Sequence, residues 1–204
     1  NGAMDDASGV ATLLDIAARL HESKARLRRS LLFVIVTGEE KGLLGSKYFA
    51  AHPTVEAKSM VSDLNVDMFL PLFPLRIVTV YGLEESTLGD EVRAVAKSLG
   101  LRVQGDLEPN RNIFIRSDQY NFIRRGIPAL VFKVGYEGGS PQEAIAKRWL
   151  HERYHAPSDD SKQPVDLAAA AAFNEVILRL AEAVANRNER PHWNSSSFFR
   201  RYAE

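Results

Sequence analysis

The sequence contains no cysteine, and this absence limits the chemistry available to the protein. Disulfide bonds and thiolate metal sites are both excluded, so any bound metal must be held by Asp, Glu and His. An excess of charge of one sign is also lacking. The 26 Lys and Arg residues balance 26 Asp and Glu residues, which gives a formal net charge of +0. Without an overall basic field, the composition does not favour a nucleic-acid partner.

Long apolar runs are missing too: none reaches the length of a membrane span, and no signal peptide is visible. The chain opens with NGAMDDASG, where turn-forming residues precede a helical pattern and no initiator Met is present. We therefore expect a fragment, with its upstream part and any targeting segment outside these residues. The 204 residues, 45% of them hydrophobic, suffice for one globular domain with a full core.

Apolar runs alternate along the chain with patterns of helical period. The pattern predicts strands at 30–37, 57–69, 75–82 and 127–135, and helices at 5–23, 42–52, 86–100, 117–126 and 165–189. Residues 135–150, with three glycines and Pro141, are predicted to be a loop. This alternation predicts a three-layer α/β/α sandwich with a mostly parallel or mixed central sheet. We expect one domain over residues 1–190, on which an aromatic tail, 191–204, packs.

The first predicted strand ends on two adjacent glutamates, Glu39 and Glu40, within VIVTGEEKGLLG. One interpretation is a solvated turn. The other is a bound cation, because neighbouring carboxylates repel each other and are costly to bury without a partner. Sites in α/β sheets gather beyond the carboxyl ends of the strands, and these glutamates lie there.

Further acidic and imidazole groups come from segments far apart in the chain. Asp5 precedes the first helix, where helix capping is the simpler interpretation, although Asp6 could cap instead. Asp67 ends the second strand, and His155 lies in the polar loop YHAPSDD. Carboxylates and imidazole are the ligands that zinc accepts when no thiolate is present. The residues thus favour a metal site at one rim of the sheet.

Five strings make this hypothesis specific: NGAMDDASGVATLL, VTGEEKGLLGSKYF, LNVDMF, RSDQYNFIRRGIPALVF and YHAPSDD. Together, and in this order, they resemble the co-catalytic zinc aminopeptidases, the family that includes bacterial leucyl aminopeptidases and glutamate carboxypeptidase II. The resemblance covers nearly the whole chain up to the tail.

The resemblance implies a role for each matching residue. Asp5 looks like the carboxylate that bridges two zinc ions, followed by a cis peptide bond to Asp6. Glu39 looks like the general base, and Glu40 and His155 look like ligands of one zinc ion. Asp67 looks like a ligand of the other.

The sequence departs from the family pattern at two places. Asp118 matches an acidic position that supports the site or binds the substrate amine, but Gln119 stands where many relatives have His. The family's first ligand, a His in an HxD string, would lie upstream of Asn1. The other histidines do not fit that role: His21, His52, His151 and His192. We therefore expect two zinc ions in the full-length enzyme but one or none in this fragment.

The function implied by the resemblance is that of a zinc-dependent exopeptidase, an aminopeptidase that removes N-terminal residues from peptides. Alternatives within the fold are a carboxypeptidase-like or glutaminyl-cyclase-like enzyme. A non-catalytic binding domain that has lost a metal is an alternative of another class. A periplasmic or secreted location is expected from the resemblance alone. The sequence does not indicate the oligomeric state.

Overall fold

A computed structural model describes residues 1–203, and its centre is a mixed four-stranded sheet. The strands are β1 (Asp63–Asn65), β2 (Ile77–Tyr81), β3 (Arg102–Gln104) and β4 (Ala129–Gly135). Their order in the sheet is β1-β4-β2-β3. β4 pairs in parallel with β1 and antiparallel with β2, while β2 and β3 are parallel.

Six α-helices surround the sheet: α1 (Ala7–Glu22), α2 (Leu44–Ala51), α3 (Leu88–Ser98), α4 (Gln119–Ile123), α5 (Pro141–Glu152) and α6 (Leu167–Asn186). Short 3₁₀ turns lie at Glu39–Lys41, Ala57–Ser59, Pro109–Arg111, Ile113–Ile115 and Phe198–Tyr202. Within residues 1–203, no helix combines the length and apolar character that crossing a membrane requires.

The alternation of side chains along β4 explains why helices cover both faces of the sheet. Leu130, Phe132 and Val134 lie in the main core, which contains buried residues of α1, α3 and α6. Ala129 faces the other way and packs in a smaller cluster with Ile123 of α4. Because successive side chains in a strand point to opposite faces, a strand with both faces covered is apolar throughout. The predicted three-layer α/β/α class is confirmed.

The prediction of a strand at 30–37 is wrong. The segment is not part of the sheet and forms no ladder with any other residue in 1–203. A strand exists only where its backbone groups find a partner, and apolar composition does not supply one. Leu32, Phe33 and Ile35 are consequently exposed, the last by 57%.

The predicted loop at 135–150 is also corrected, because it contains α5. Ser140 caps this helix by accepting a hydrogen bond from the backbone N–H of Glu143 at 3.2 Å, and Pro141 occupies the first turn. Both are ordinary helix-start signals that the glycines had obscured. Within the strand predicted at 57–69, only the residues of β1 pair with another strand. The sequence analysis did not predict β3.

The aromatic tail lies against α4 and the loop that follows it. Trp193 is buried, and its Nε1 donates to the carbonyl oxygen of Gly126 at 3.0 Å. Gly126 has φ +81, and a Cβ there would lie 2.7 Å from the carbonyl oxygen of Tyr202, so the tail passes too close for a side chain. The domain boundary at residue 190 stays a prediction.

A buried carboxyl group in β1 lacks a partner. The Oδ2 atom of Asp63 is buried and has no hydrogen bond within the described part of the chain. Burial, and secondly the neighbouring carboxylate of Asp118, raise the pKa of Asp63 to about 7. A carboxyl group whose pKa is raised on folding destabilises the fold progressively as pH rises from its unfolded pKa to its folded one.

We predict that Asp63→Asn stabilises the metal-free chain at pH 8, by up to about 4 kcal/mol for a shift of roughly three pKa units. The gain should shrink toward pH 4, where the native carboxyl group is neutral. Urea unfolding at both pH values measures this, with Glu189→Gln at an exposed position as the control. A gain that is equal at the two pH values would contradict the explanation.

Candidate metal centre

The first residues of the chain are fastened to the loop before α6. One carboxylate holds them there: Asp159 Oδ1 accepts from the backbone N–H of Met4 at 2.7 Å, and Oδ2 accepts from that of Asp5 at 3.0 Å. Asp159 is buried, and Gln163 donates to it at 2.6 Å. Asp159 does not cap α6, since Asp166 caps that helix.

The residue after Asp5 completes this anchoring. Asp6 caps α1, since its Oδ1 accepts from the backbone N–H of Gly9 and from that of Met68, each at 3.0 Å. The peptide bond between Asp5 and Asp6 is cis, which confirms that prediction. Because Asp6 caps α1, the carboxylate of Asp5 is not needed for that role and faces the rim of the sheet.

A glycine-flanked turn presents the two glutamates. Glu39–Lys41 forms a single 3₁₀ turn between Gly38 and Gly42, whose φ angles are +73 and +100. Both angles lie in the left-handed region that glycine adopts without strain. The turn is fixed to α2 by hydrogen bonds such as that from the N–H of Gly45 to the carbonyl oxygen of Thr37 at 2.9 Å. Glu40 is thereby directed toward the loop that carries His155.

Three side chains from these separate segments meet at one point. His155 Nε2 lies 2.6 Å from Glu40 Oε1 and 3.4 Å from Asp5 Oδ2. One ligand atom from each residue lies within 4.8 Å of the others. The group borders a hollow of about 420 Å³, open to solvent. His155 has φ +56, an uncommon conformation for a residue other than glycine, and its ring lies tilted against that of Tyr154, with 3.7 Å between the ring centroids.

The other predicted site residues surround this group at different distances. Asp67 follows β1 and accepts a hydrogen bond from Ser117 Oγ at 2.7 Å, but it is not within the three-residue group. Its charge nevertheless contributes to the pKa of both Asp5 and Glu39. Ser117 as a partner of Asp67 was not anticipated from the sequence.

Asp118 lies deeper than the metal-ligating group. Its Oδ1 is buried and has no hydrogen-bond partner within residues 1–203, and burial raises its pKa. Gln119, the residue after Asp118, is fully buried. Its amide donates to the carbonyl oxygen of Phe114 at 2.8 Å and accepts from Asn65 at 2.9 Å. Gln119 therefore links the end of β1 to the start of α4.

The carboxylates at the rim repel one another. Burial, then the charges of Asp67 and Glu40, raise the pKa of Asp5 to about 6. The same causes in the same order raise the pKa of Glu39 to about 7. Crowded carboxylates disfavour their own ionisation unless a cation compensates.

The donor set fits a divalent metal, and zinc in particular. Asp5, Glu40 and His155 offer two carboxylate oxygens and one imidazole nitrogen, which are ligands that zinc takes. Three protein ligands with one side facing a solvent-filled hollow is the arrangement of catalytic rather than structural zinc sites. The roles assigned to the individual residues stay predictions.

Comparisons with known proteins identify the chain in agreement with this geometry. The fold is of the mixed α/β class, and the donor set fits a divalent metal. The model described as "Peptidase family M28" matches residues 1–181. The chain therefore belongs to peptidase family M28.

Three proteins that the chain resembles in sequence or structure differ in their degree of similarity. The probable leucine aminopeptidase 2 of Aspergillus oryzae is 30% identical over 171 residues, or 78% of this chain and 34% of the relative. An aminopeptidase from Aneurinibacillus sp. strain AM-1 matches with a TM-score of 0.67 and 25% identity, over 93% of this chain and 41% of that one. A Porphyromonas gingivalis glutaminyl cyclase shares the fold, with a TM-score of 0.57 and 21% identity over 90% of this chain and 63% of that one. This chain thus spans less than half the length of either aminopeptidase.

We predict that Asp159→Asn weakens zinc binding at least about 10-fold, because the amide cannot accept from the backbone of both Met4 and Asp5 and so misplaces the Asp5 carboxylate. Calorimetric titration of zinc into the chain measures this effect. Asp160→Asn is the matched control, because within residues 1–203 the Asp160 side chain accepts only from the backbone N–H of Lys162 in the adjacent turn. Equal affinities for the two variants would show that Asp159 does not position the ligand.

Proposed function

We propose that the protein is a zinc-dependent exopeptidase that acts as an aminopeptidase on peptides. The observation that carries this proposal is the convergence of Asp5, Glu40 and His155 within 4.8 Å in a chain of family M28. His155 lies more than a hundred residues from the other two. These three residues would hold the metal. Zinc in such a site acts as a Lewis acid toward a peptide carbonyl and makes water more acidic.

Glu39 is the residue proposed to move the proton. It precedes the ligand Glu40 in the same turn and is itself outside the three-residue group. Its carboxyl group has a pKa raised to about 7, which allows it to accept a proton and return it near neutral pH. Glu39 would take the proton from the attacking water and deliver it to the leaving amine.

Asp67 is proposed to serve a second zinc ion in the longer enzyme. Within residues 1–203 only Asp67 and the shared Asp5 are available to that ion, because no histidine beside Asp67 joins them in a metal-ligating group. Two carboxylates are fewer protein ligands than zinc sites have. We therefore propose that the 204-residue chain binds at most one zinc ion tightly, on the His155 side.

A glutaminyl-cyclase-like activity is the second candidate, because a glutaminyl cyclase is among the structures that share this fold. Both activities would use the same metal ligands and an acidic proton carrier. They differ in outcome: an aminopeptidase releases an N-terminal residue, whereas a cyclase closes an N-terminal glutamine and releases ammonia. Assays with aminoacyl-nitroanilides and with glutaminyl peptides separate them.

We predict that Glu39→Gln lowers turnover of an aminoacyl-nitroanilide by the full-length enzyme at least about 10²-fold, the lower end for losing general acid–base catalysis. Zinc content should stay unchanged, because Glu39 is not a ligand in this proposal. Glu56→Gln, at an exposed position outside the site, is the control and should leave turnover unchanged. Near-normal turnover of the Glu39→Gln enzyme would refute its role as the base.

A second prediction concerns the metal itself. His155→Ala should abolish tight zinc binding by the 204-residue chain, because the carboxylates of Asp5 and Glu40 alone leave zinc under-coordinated. His151→Ala, at an exposed position of α5 four residues away, should bind zinc normally. Metal analysis after dialysis provides the readout. Two tight zinc ions per chain, or full binding after loss of His155, would place the metal elsewhere.

A further inference from the structure

Lys133 is a partly buried cation on an inner strand of the sheet. It lies in β4 between Phe132 and Val134, whose side chains are buried in the main core. Because successive side chains of a strand point to opposite faces, Lys133 points to the face that α4 covers. A strand covered on both faces is normally apolar throughout, so a lysine at this position is unusual.

Asp67 lies beside Lys133 along the edge where β1 and β4 meet. β1 pairs in parallel with β4 as far as Asn65. Beyond that point the two chains stay together, because the backbone N–H of Val134 donates to the carbonyl oxygen of Phe69 at 2.8 Å. Asp67 and Lys133 both lie between these two contacts. The lysine is therefore close to the rim that carries the candidate metal centre.

The carboxylate of Asp67 faces the same side of the sheet as Lys133. It accepts a hydrogen bond at 2.7 Å from Ser117, which lies directly before α4. Burial lowers the pKa of Lys133, and the charges of Asp67 and Asp5 oppose this shift. Lys133 thus places an ammonium group near the metal-ligating residues without belonging to their group.

No residue of the described chain acts as a fixed counter-ion for Lys133. Within residues 1–203 its ammonium group forms neither a salt bridge nor a hydrogen bond. The charge of Arg111 lowers its pKa further, and Arg111 itself pairs with Glu108 at 2.9 Å. Charged side chains withdrawn from water are usually paired. An anion from outside the described residues would therefore stabilise Lys133, the more so when a metal takes up the negative charge of Asp5.

A second hydrogen-bond donor lies across the ladder from Lys133. Thr79 of β2 is its direct partner, so the two side chains share one face of the sheet. The Thr79 hydroxyl accepts from Gln104 at 2.7 Å, but it donates to no group within the described part of the chain. A neighbouring ammonium and hydroxyl together offer donors for the two oxygens of one carboxylate.

The position of Lys133 favours a side chain of the substrate over the end of the peptide chain. The lysine rises from the sheet itself, so a group must extend inward from the rim to reach it. In an aminopeptidase the N-terminal residue of the peptide lies at the metal, and the rest of the peptide leads away from it. The side chain of the N-terminal residue is therefore the part that can reach Lys133, and Glu or Asp supplies the carboxylate.

We propose that Lys133, together with Thr79, binds the side-chain carboxylate of the substrate's N-terminal residue, so that the enzyme prefers peptides that begin with Glu or Asp. This inference rests on the proposed aminopeptidase function and adds the substrate class to it. A neutral N-terminal side chain would leave the ammonium group unpaired, and an unpaired buried group is costly.

Turnover of matched substrates tests this preference. The full-length enzyme should hydrolyse glutamyl-nitroanilide with a kcat/KM at least about 10-fold above that for glutaminyl-nitroanilide, the lower end for a hydrogen bond to a charged group. Lys133→Met should abolish the difference without lowering kcat/KM for leucyl-nitroanilide. Lys97→Met, at an exposed position of α3, is the matched control and should keep it. Equal kcat/KM for the glutamyl and glutaminyl substrates in the unaltered enzyme would overturn the proposal, as would a preference that Lys133→Met leaves intact.

Binding of free amino acids separates this proposal from the proposed function. In calorimetric titrations the zinc-loaded full-length enzyme should bind L-glutamate at least about 10-fold more tightly than L-glutamine, and Lys133→Met should remove the difference. That result without hydrolysis of any nitroanilide would refute the aminopeptidase function and retain the carboxylate site. Equal affinities alongside normal hydrolysis would refute the carboxylate site alone.

A leucyl dipeptide and its C-terminal amide test the other end of the substrate. Lys133→Met should affect the turnover of both equally, because neither has an acidic N-terminal side chain. A loss confined to the dipeptide with the free carboxylate would assign Lys133 to the C-terminus of the substrate and overturn the proposal.

Discussion

Repulsion among carboxylates held at one rim of the sheet is the constraint on which the rest of the structure depends. Asp5 and Glu39 come from different segments, and the charges of Asp67 and Glu40 make the ionisation of both less favourable. Burial adds to the effect. Left alone, such groups would move apart or take up protons. The backbone around them is accordingly fastened by the Asp159 carboxylate, the Asp6 cap and the glycines that flank the Glu39–Lys41 turn. A divalent cation is the partner that makes this arrangement favourable.

The fold brings the residues of the candidate site together at one rim of the sheet. The 30–37 segment and β1 end at the same rim, and the loop before α6 brings His155 to it. The order of the strands places β4 at the centre, where α4 on one face and α1, α3 and α6 on the other make the sheet a rigid base.

Local signals in the sequence predicted most of the elements and indicated three residues that the structure places near one another. The strings around Asp5, Glu40 and His155 anticipated a cluster that the structure forms within 4.8 Å, and the cis bond after Asp5 was anticipated as well. Pairing was not predictable, because the composition of residues 30–37 favours a strand while a ladder requires a partner elsewhere in the chain. Long-range hydrogen bonds were missed for the same reason. Asp159 accepts a hydrogen bond from Asp5, and Ser117 donates one to Asp67, although the residues of each pair lie at least 50 positions apart.

The central claim is that Asp5, Glu40 and His155 form a zinc site with an open position. X-ray absorption spectroscopy of the zinc-loaded 204-residue chain tests it most directly. The account predicts nitrogen and oxygen neighbours at about 2.0–2.2 Å and the scattering pattern of one imidazole, which should disappear in the His155→Ala variant. A spectrum without imidazole, or one that His155→Ala leaves unchanged, would contradict the account.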